Sequence, residues 1–199
     1  MKKLMIAALV FCLSPWVQAA SFKEGTHYEV VNSQASASPE IVEFFSYYCP
    51  ACKNFEGAAA QIEQNLPDNV AFKKSHVKFL GDYGAELVRA YAVAKSLKVE
   101  EEFSQVVFSM LGGHGLPIKS EDDLRKIFLS IGIDNDQYDS ANKSFIVSGM
   151  TTKMNKDAEK FDIRRTPSLL VNEKYLVTLS SITTIDELQD LLVYLSKNP

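Results

Sequence analysis

Cys49 and Cys52 are separated only by Pro50 and Ala51. Two thiols at that spacing can hold half of a metal site or close a small disulfide ring. A zinc site needs four ligands, but the chain's three histidines, His27, His76 and His114, supply no second pair at the usual spacing. No metal is therefore expected. Covalent haem attachment needs a histidine directly after the second cysteine, and that residue is Lys53. An inert structural pair is the bland alternative. It gains little, because a disulfide stabilises chiefly by closing a long loop and this one would close a short one. Dithiol–disulfide exchange suits the residues better. It needs one sulfur that accepts negative charge readily and a shielded partner. Pro50 favours the first turn of a helix, where its missing N–H costs nothing. Cys49 would then sit among free N–H groups at the positive end of a helix dipole, which favours a thiolate. Cys52, one turn in, is expected to be the more buried of the two.

The flanking segments read as elements able to hold that pair. Ile41 to Phe45 is a short apolar run interrupted by Glu43, the pattern of a buried strand. Phe55, Ala59, Ile62 and Leu66 recur at helical spacing from Pro50 onward, and Pro67-Asp68 ends the helix. Val70 to Phe79 reads as the next strand, giving strand–helix–strand, the unit of a parallel sheet. A shorter strand is expected at His27 to Val31. The middle of the chain is helical by pattern: Ala85 to Leu97, then Glu101 to Leu111 ended by Gly112-Gly113. Ser120 with Asp123 resembles a capping box before Leu124. Asp134 opens a helix through Tyr138, Phe145 and Ile146, which runs on or restarts toward Phe161. Strand character returns at Ser168 to Asn172 and Tyr175 to Leu179, followed by a helix from Thr184, where Glu187 completes a second capping-box pattern.

Residues 1–19 read as a removed secretory signal peptide: Lys2 and Lys3, an apolar run from Leu4 to Leu13, a break at Pro15, and cleavage after Ala19. The remaining cysteines would work outside the cytosol, where disulfides persist. With 46% hydrophobic and 23% charged residues in 199, the chain has the composition of a folded domain. A net charge of −4 without a basic stripe argues against a nucleic-acid partner.

The run IVEFFSYYCPAC, Ile41 to Cys52, resembles the thioredoxin-fold disulfide oxidoreductases of the bacterial periplasm, the DsbA family above all. The likeness extends to Lys74-Ser75-His76-Val77, to Arg165-Thr166-Pro167 with Leu169 to Lys174, and to Glu24 through Tyr28. The resemblance implies an α/β, thioredoxin-like fold with an inserted all-helical domain. The thioredoxin-like part would comprise 20–81 and 159–199, and the insert 82–158. It implies that Cys49 and Cys52 form the redox-active disulfide and that Pro50 and Ala51 complete the active-site motif. Pro167 would be cis and face the disulfide; an ordinary strand-entry proline is the plain alternative. The Thr166 backbone would pair with an extended substrate segment. Glu43 and Lys74 match a charged pair beneath the family's active site, serving either to move a proton to Cys52 or as a simple buried ion pair.

Two positions depart from the best-known oxidases of the family, which carry His at the place of Ala51 and Val at that of Thr166. Without the imidazole, the Cys49 thiolate is expected to be less stabilised and the disulfide less oxidising. The Thr166 hydroxyl could donate to sulfur and offset part of that. The expected function is insertion of disulfides into reduced or unfolded exported proteins by a periplasmic monomer that needs no cofactor. A quinone-linked inner-membrane protein of the DsbB type would reoxidise it. A reductase or isomerase, or a non-catalytic peptide-binding chaperone, are the alternatives.

Overall fold

A computed structural model describes residues 22–111 and 118–198. The signal-peptide segment, Gly112-Gly113 and His114 lie outside them. Five strands, β1 (Tyr28–Val30), β2 (Glu40–Phe45), β3 (Ala71–His76), β4 (Ser168–Val171) and β5 (Tyr175–Val177), form one sheet in the order β1-β5-β4-β2-β3. β2 and β3 pair in parallel through helix α1 (Pro50–Gln64), as the strand–helix–strand pattern required, and the other pairings are antiparallel. Between β3 and β4 come α2 (Gly84–Leu97), α3 (Glu100–Leu111), α4 (Glu121–Ser130), α5 (Asn135–Asn142) and α6 (Phe145–Lys160). Helix α7 (Ile185–Ser196) ends the described chain. Among the described residues, no helix is long and apolar enough to cross a membrane.

The side-chain period of two divides β2 between two packing layers. Ile41 faces Ile62 of α1 and the Leu188, Leu191, Leu192 and Leu195 stripe of α7. Phe44 faces the other way, toward Phe161, Ile163 and Leu170. Helices α2 to α6 have their own core, and its edge is made by Phe45, Tyr47, Cys49 and Cys52. The cysteine pair therefore sits where the sheet meets the helical layer. The Tyr47 ring, 1% exposed, stands 4.8 Å from Phe108 and 5.1 Å from Phe45, and its hydroxyl bonds Ser104 of α3 at 2.7 Å. Burying each such ring contributes about 1.5–3 kcal/mol, so this junction is firmly seated.

Several boundaries differ from the sequence pattern. β3 ends at His76, short of Phe79, because the chain turns away to reach Gly81 and α2. The helix expected from Asp134 through Ile146 breaks earlier, and the restart falls before Phe145: α5 stops at Asn142, and the Ser144 hydroxyl caps α6 afresh by accepting the Val147 N–H. That break leaves Phe145 91% and Ile146 63% exposed at the start of α6. Ser120 and Thr184 cap their helices, yet the reciprocal carboxylates reach one residue further back, Asp123 to the Lys119 N–H and Glu187 to that of Thr183. The complete capping box is Asp134 with Gln137.

Candidate active site

The turn after β2 delivers Cys49 to the start of α1. The Ser46 carbonyl accepts the Cys49 N–H at 3.0 Å, and the Ser46 hydroxyl accepts the Tyr48 N–H at 3.2 Å. Cys49 is itself the N-cap, with extended backbone (φ −96°, ψ 109°), and Pro50 fills the first helical position. The cysteine sulfur takes the capping role usually played by Ser or Asp: it accepts the Cys52 N–H at 3.2 Å. An amide donor is thus aimed at the sulfur from the N-terminal end of a 15-residue helix. Both cysteines are free thiols. Cys49 is 7% exposed, less open than its place in the sequence suggested, because the Thr166 segment covers it. The Cys49 thiol donates to the Thr166 carbonyl at 3.3 Å. Pro50 and Ala51 stand exposed beside it.

Cys52 is fully buried. Desolvation, reinforced by its hydrogen bond with Cys49, pushes its thiol up to about 12; the Ser46 backbone and the Thr166 hydroxyl act in the opposite direction. The dithiol is thus asymmetric in the sense exchange requires. The Thr166 Oγ1 is buried with no well-directed hydrogen-bond partner among the described residues, so its influence is exerted on the inner sulfur by proximity. The Thr166–Pro167 peptide bond is cis, and it lies next to Cys49 although 117 residues separate Cys49 from Thr166 in the chain.

Glu43 and Lys74 are register partners on β2 and β3, with Leu169 of β4 on the other side of Glu43. Glu43 is fully buried, and its oxygens have no hydrogen-bond partner among the described residues; Lys74 Nζ lies 3.5 Å from Oε2. Burial raises the Glu43 carboxyl from 4.5 to about 7, against the pull of Lys74 and with a further push from Glu56. Lys74 is shared, for its ammonium also bonds Glu56 of α1 and rests 4.9 Å from the Phe45 ring. Glu56 escaped the sequence reading. Its signal was its position four residues after Cys52, one turn along the same helix face.

His76, which the spacing excludes as half of a metal-binding pair, is a core residue. It is fully buried at the end of β3, its Nε2 accepts the Tyr47 N–H at 3.1 Å, and desolvation drops it from 6.5 to about 3. A neutral imidazole therefore fixes the backbone leading into the cysteines. Among the described residues, no group of three or more potential ligands could hold a metal ion. Phe45 and Tyr47 are core; the half-buried Tyr48 leans on Gly81 at the rim.

A cysteine-capped helix beside a cis-proline turn, on a mixed sheet interrupted by five helices, has close counterparts. The model of the DSBA-like thioredoxin domain matches residues 40–193. A thiol:disulfide interchange protein DsbA of Haemophilus influenzae is 39% identical over 175 residues, 86% of this chain and 84% of that protein. Its namesake in Dickeya dadantii is 34% identical over 187 residues, covering 92% and 90%. A Cys-to-Ser variant of Proteus mirabilis DsbA, solved with the non-covalently bound peptide PWATCDS, superposes with a TM-score of 0.84 at 30% identity, over 90% of this chain and all of that one. Shared sequence over nearly the whole chain, and a shared architecture around the cysteine pair, lead to one conclusion: this chain belongs to the DSBA-like thioredoxin-domain family.

Proposed function

We propose that the chain is a thiol:disulfide oxidoreductase that oxidises exported proteins through Cys49 and Cys52. The observation that carries this reading is the Cys49 sulfur acting as helix N-cap, within reach of the cis-Pro167 turn and above a buried Cys52. A substrate thiolate attacks the Cys49 sulfur of the Cys49–Cys52 disulfide, the S–S bond breaks, and a mixed disulfide forms. Cys52 leaves. Its burial makes a lasting thiolate costly, so it must take up a proton. Glu43, ionising near neutrality, is the acid we assign to that transfer, with Lys74 and Glu56 leading toward solvent. A second substrate thiolate then attacks the substrate's own sulfur in the mixed disulfide and expels Cys49 as a thiolate. Two electrons have passed to the enzyme, the substrate carries a disulfide, and Cys49 and Cys52 are reduced.

The bound peptide in the Proteus mirabilis relative supports an extended polypeptide segment as the substrate form, with the Thr166 backbone as its docking edge. The signal-like leader supports a periplasmic site of action. A DsbB-type membrane reoxidase and a monomeric state complete the reading, as does a division into a thioredoxin-like part (20–81 and 159–199) and a helical insert (82–158).

The test is oxidation of reduced, unfolded ribonuclease by the oxidised protein. Activity should appear stoichiometrically with loss of the Cys49–Cys52 disulfide and vanish in Cys49→Ser. Undiminished oxidation by that variant would overturn the assignment. Thiol alkylation in cells separates oxidase from reductase: an oxidase is found mainly as the disulfide, a reductase mainly as the dithiol.

A further inference from the structure

On the face of the sheet opposite α1 and α7, helix α6 lies against α2 and meets the sheet near its own C-terminal end, where Ala158 and Phe161 join Phe44 and Leu170. One turn or more upstream it stands clear. The wedge left open is a cavity of about 180 Å³, walled by Met150 and Met154 from the helix and by Val42, Phe44 and Leu170 from the strands. An apolar cavity of about 150 Å³ is enough to hold benzene. Two methionines in the wall give it adaptable shape. The wall is not wholly apolar: Ser75, 4% exposed, has a hydroxyl without a hydrogen-bond partner among the described residues.

The charges at the mouth decide which ligand fits. Glu40 is paired with Lys73 at 2.5 Å, Asp157 with Lys153 at 2.7 Å, and Glu173 with Lys160 at 2.7 Å. Lys74 is committed to Glu43 and Glu56. That leaves Lys95, at the end of α2, without an anionic partner among the described residues; its ammonium rests 5.5 Å from the centroid of the Tyr91 ring. Apolar walls with one unmatched cation at the rim select a small amphipathic monoanion over a neutral or cationic molecule. We propose that this wedge binds a carboxylate carrying one aryl ring or a short acyl chain, its tail between Met154 and Phe44 and its head at Lys95. Neither the cysteines nor Thr166 and Pro167 line the site, and it does not depend on disulfide exchange.

Methionine-methyl NMR of the full, reduced protein titrated with sodium 4-phenylbutyrate tests this. The expected result is a saturable shift of the Met150 and Met154 methyl signals. Affinity should fall about tenfold in Lys95→Ala, recover in Lys95→Arg, and fall comparably when 4-phenylbutanol replaces the carboxylate. Lys95 is half-buried on a helix end, so these variants keep the fold. No saturable shift in the wild type, or equal affinity for acid and alcohol, or an unchanged affinity in Lys95→Ala, would each overturn the proposal.

Discussion

Glu43→Gln isolates the cost of keeping a carboxylate buried in β2. The fold prefers the neutral acid: Glu43 ionises at about 7 in the folded chain and at 4.5 when solvated. Its raised value means that its contribution to stability is complete below pH 4.5 and is lost as pH rises through 7. Between pH 5 and pH 8 the wild-type side chain should therefore withdraw roughly 2–3 kcal/mol of folding free energy. Gln cannot titrate. It pays a separate penalty of about 1–3 kcal/mol if its amide finds no partner among Leu169, Ile41 and Phe45, but that penalty is the same at every pH. His76, which the folded chain keeps neutral down to about 3, titrates alike in both proteins and cancels, as do the groups remote from Glu43. Urea unfolding of the reduced wild type and variant at pH 5, 6, 7 and 8 gives the measurement. The stability difference, variant minus wild type, should grow by roughly 2–3 kcal/mol across that range. Parallel curves would mean that Glu43 stays ionised throughout, held by Lys74, and the proton-transfer role would lose its basis.

Other outcomes follow from the same site. Ala51→His adds an imidazolium beside the Cys49 sulfur; a charge-assisted hydrogen bond of about 1.5–3 kcal/mol should raise the reduction potential by roughly 30–60 mV in glutathione equilibration, and an unchanged potential would contradict the geometry. Tyr47→Phe removes the 2.7 Å bond to Ser104 and strands a buried hydroxyl, so thermal unfolding should show a loss of about 1–2 kcal/mol with activity retained. Gly81 has φ +72°, and a Cβ there would stand 2.2 Å from the Tyr48 ring. Gly81→Ala should therefore displace Tyr48, next to Cys49, and lower the rate of substrate oxidation; a rate equal to wild type would show that the ring's position does not matter.

How much of this was legible beforehand depends on the distance over which each feature is set. The cysteine pair on a helix N-terminus could be read directly, because Pro50, the Phe55–Leu66 spacing and the Pro67 stop all act within a few turns. β2 could be read from its apolar run, and Glu43 stood out as the residue that did not belong there. The helical stretch after β3 was visible for the same reason, except at Lys143-Ser144, where a local cap overrode a continuous pattern and turned Phe145 and Ile146 outward. The family resemblance added the expectation that Thr166 and Pro167 belong to the site, which spacing alone could not supply.

What the sequence by itself determined is the chemistry on offer: two thiols, a capped helix to polarise one of them, and a carboxylate in an apolar strand. Hydrogen bonds and periodicity between chain neighbours fix these, and they leave their signature in residue order. Only the tertiary structure decided that Lys74 is divided between Glu43 and Glu56, that the Thr166 carbonyl meets Cys49 while its hydroxyl acts on Cys52, and that α6 stands off the sheet to leave a cavity. Those relations depend on how β2, β3, β4 and the helices pack. Burial, which sets how costly each charge is, exists only once distant segments have closed over it.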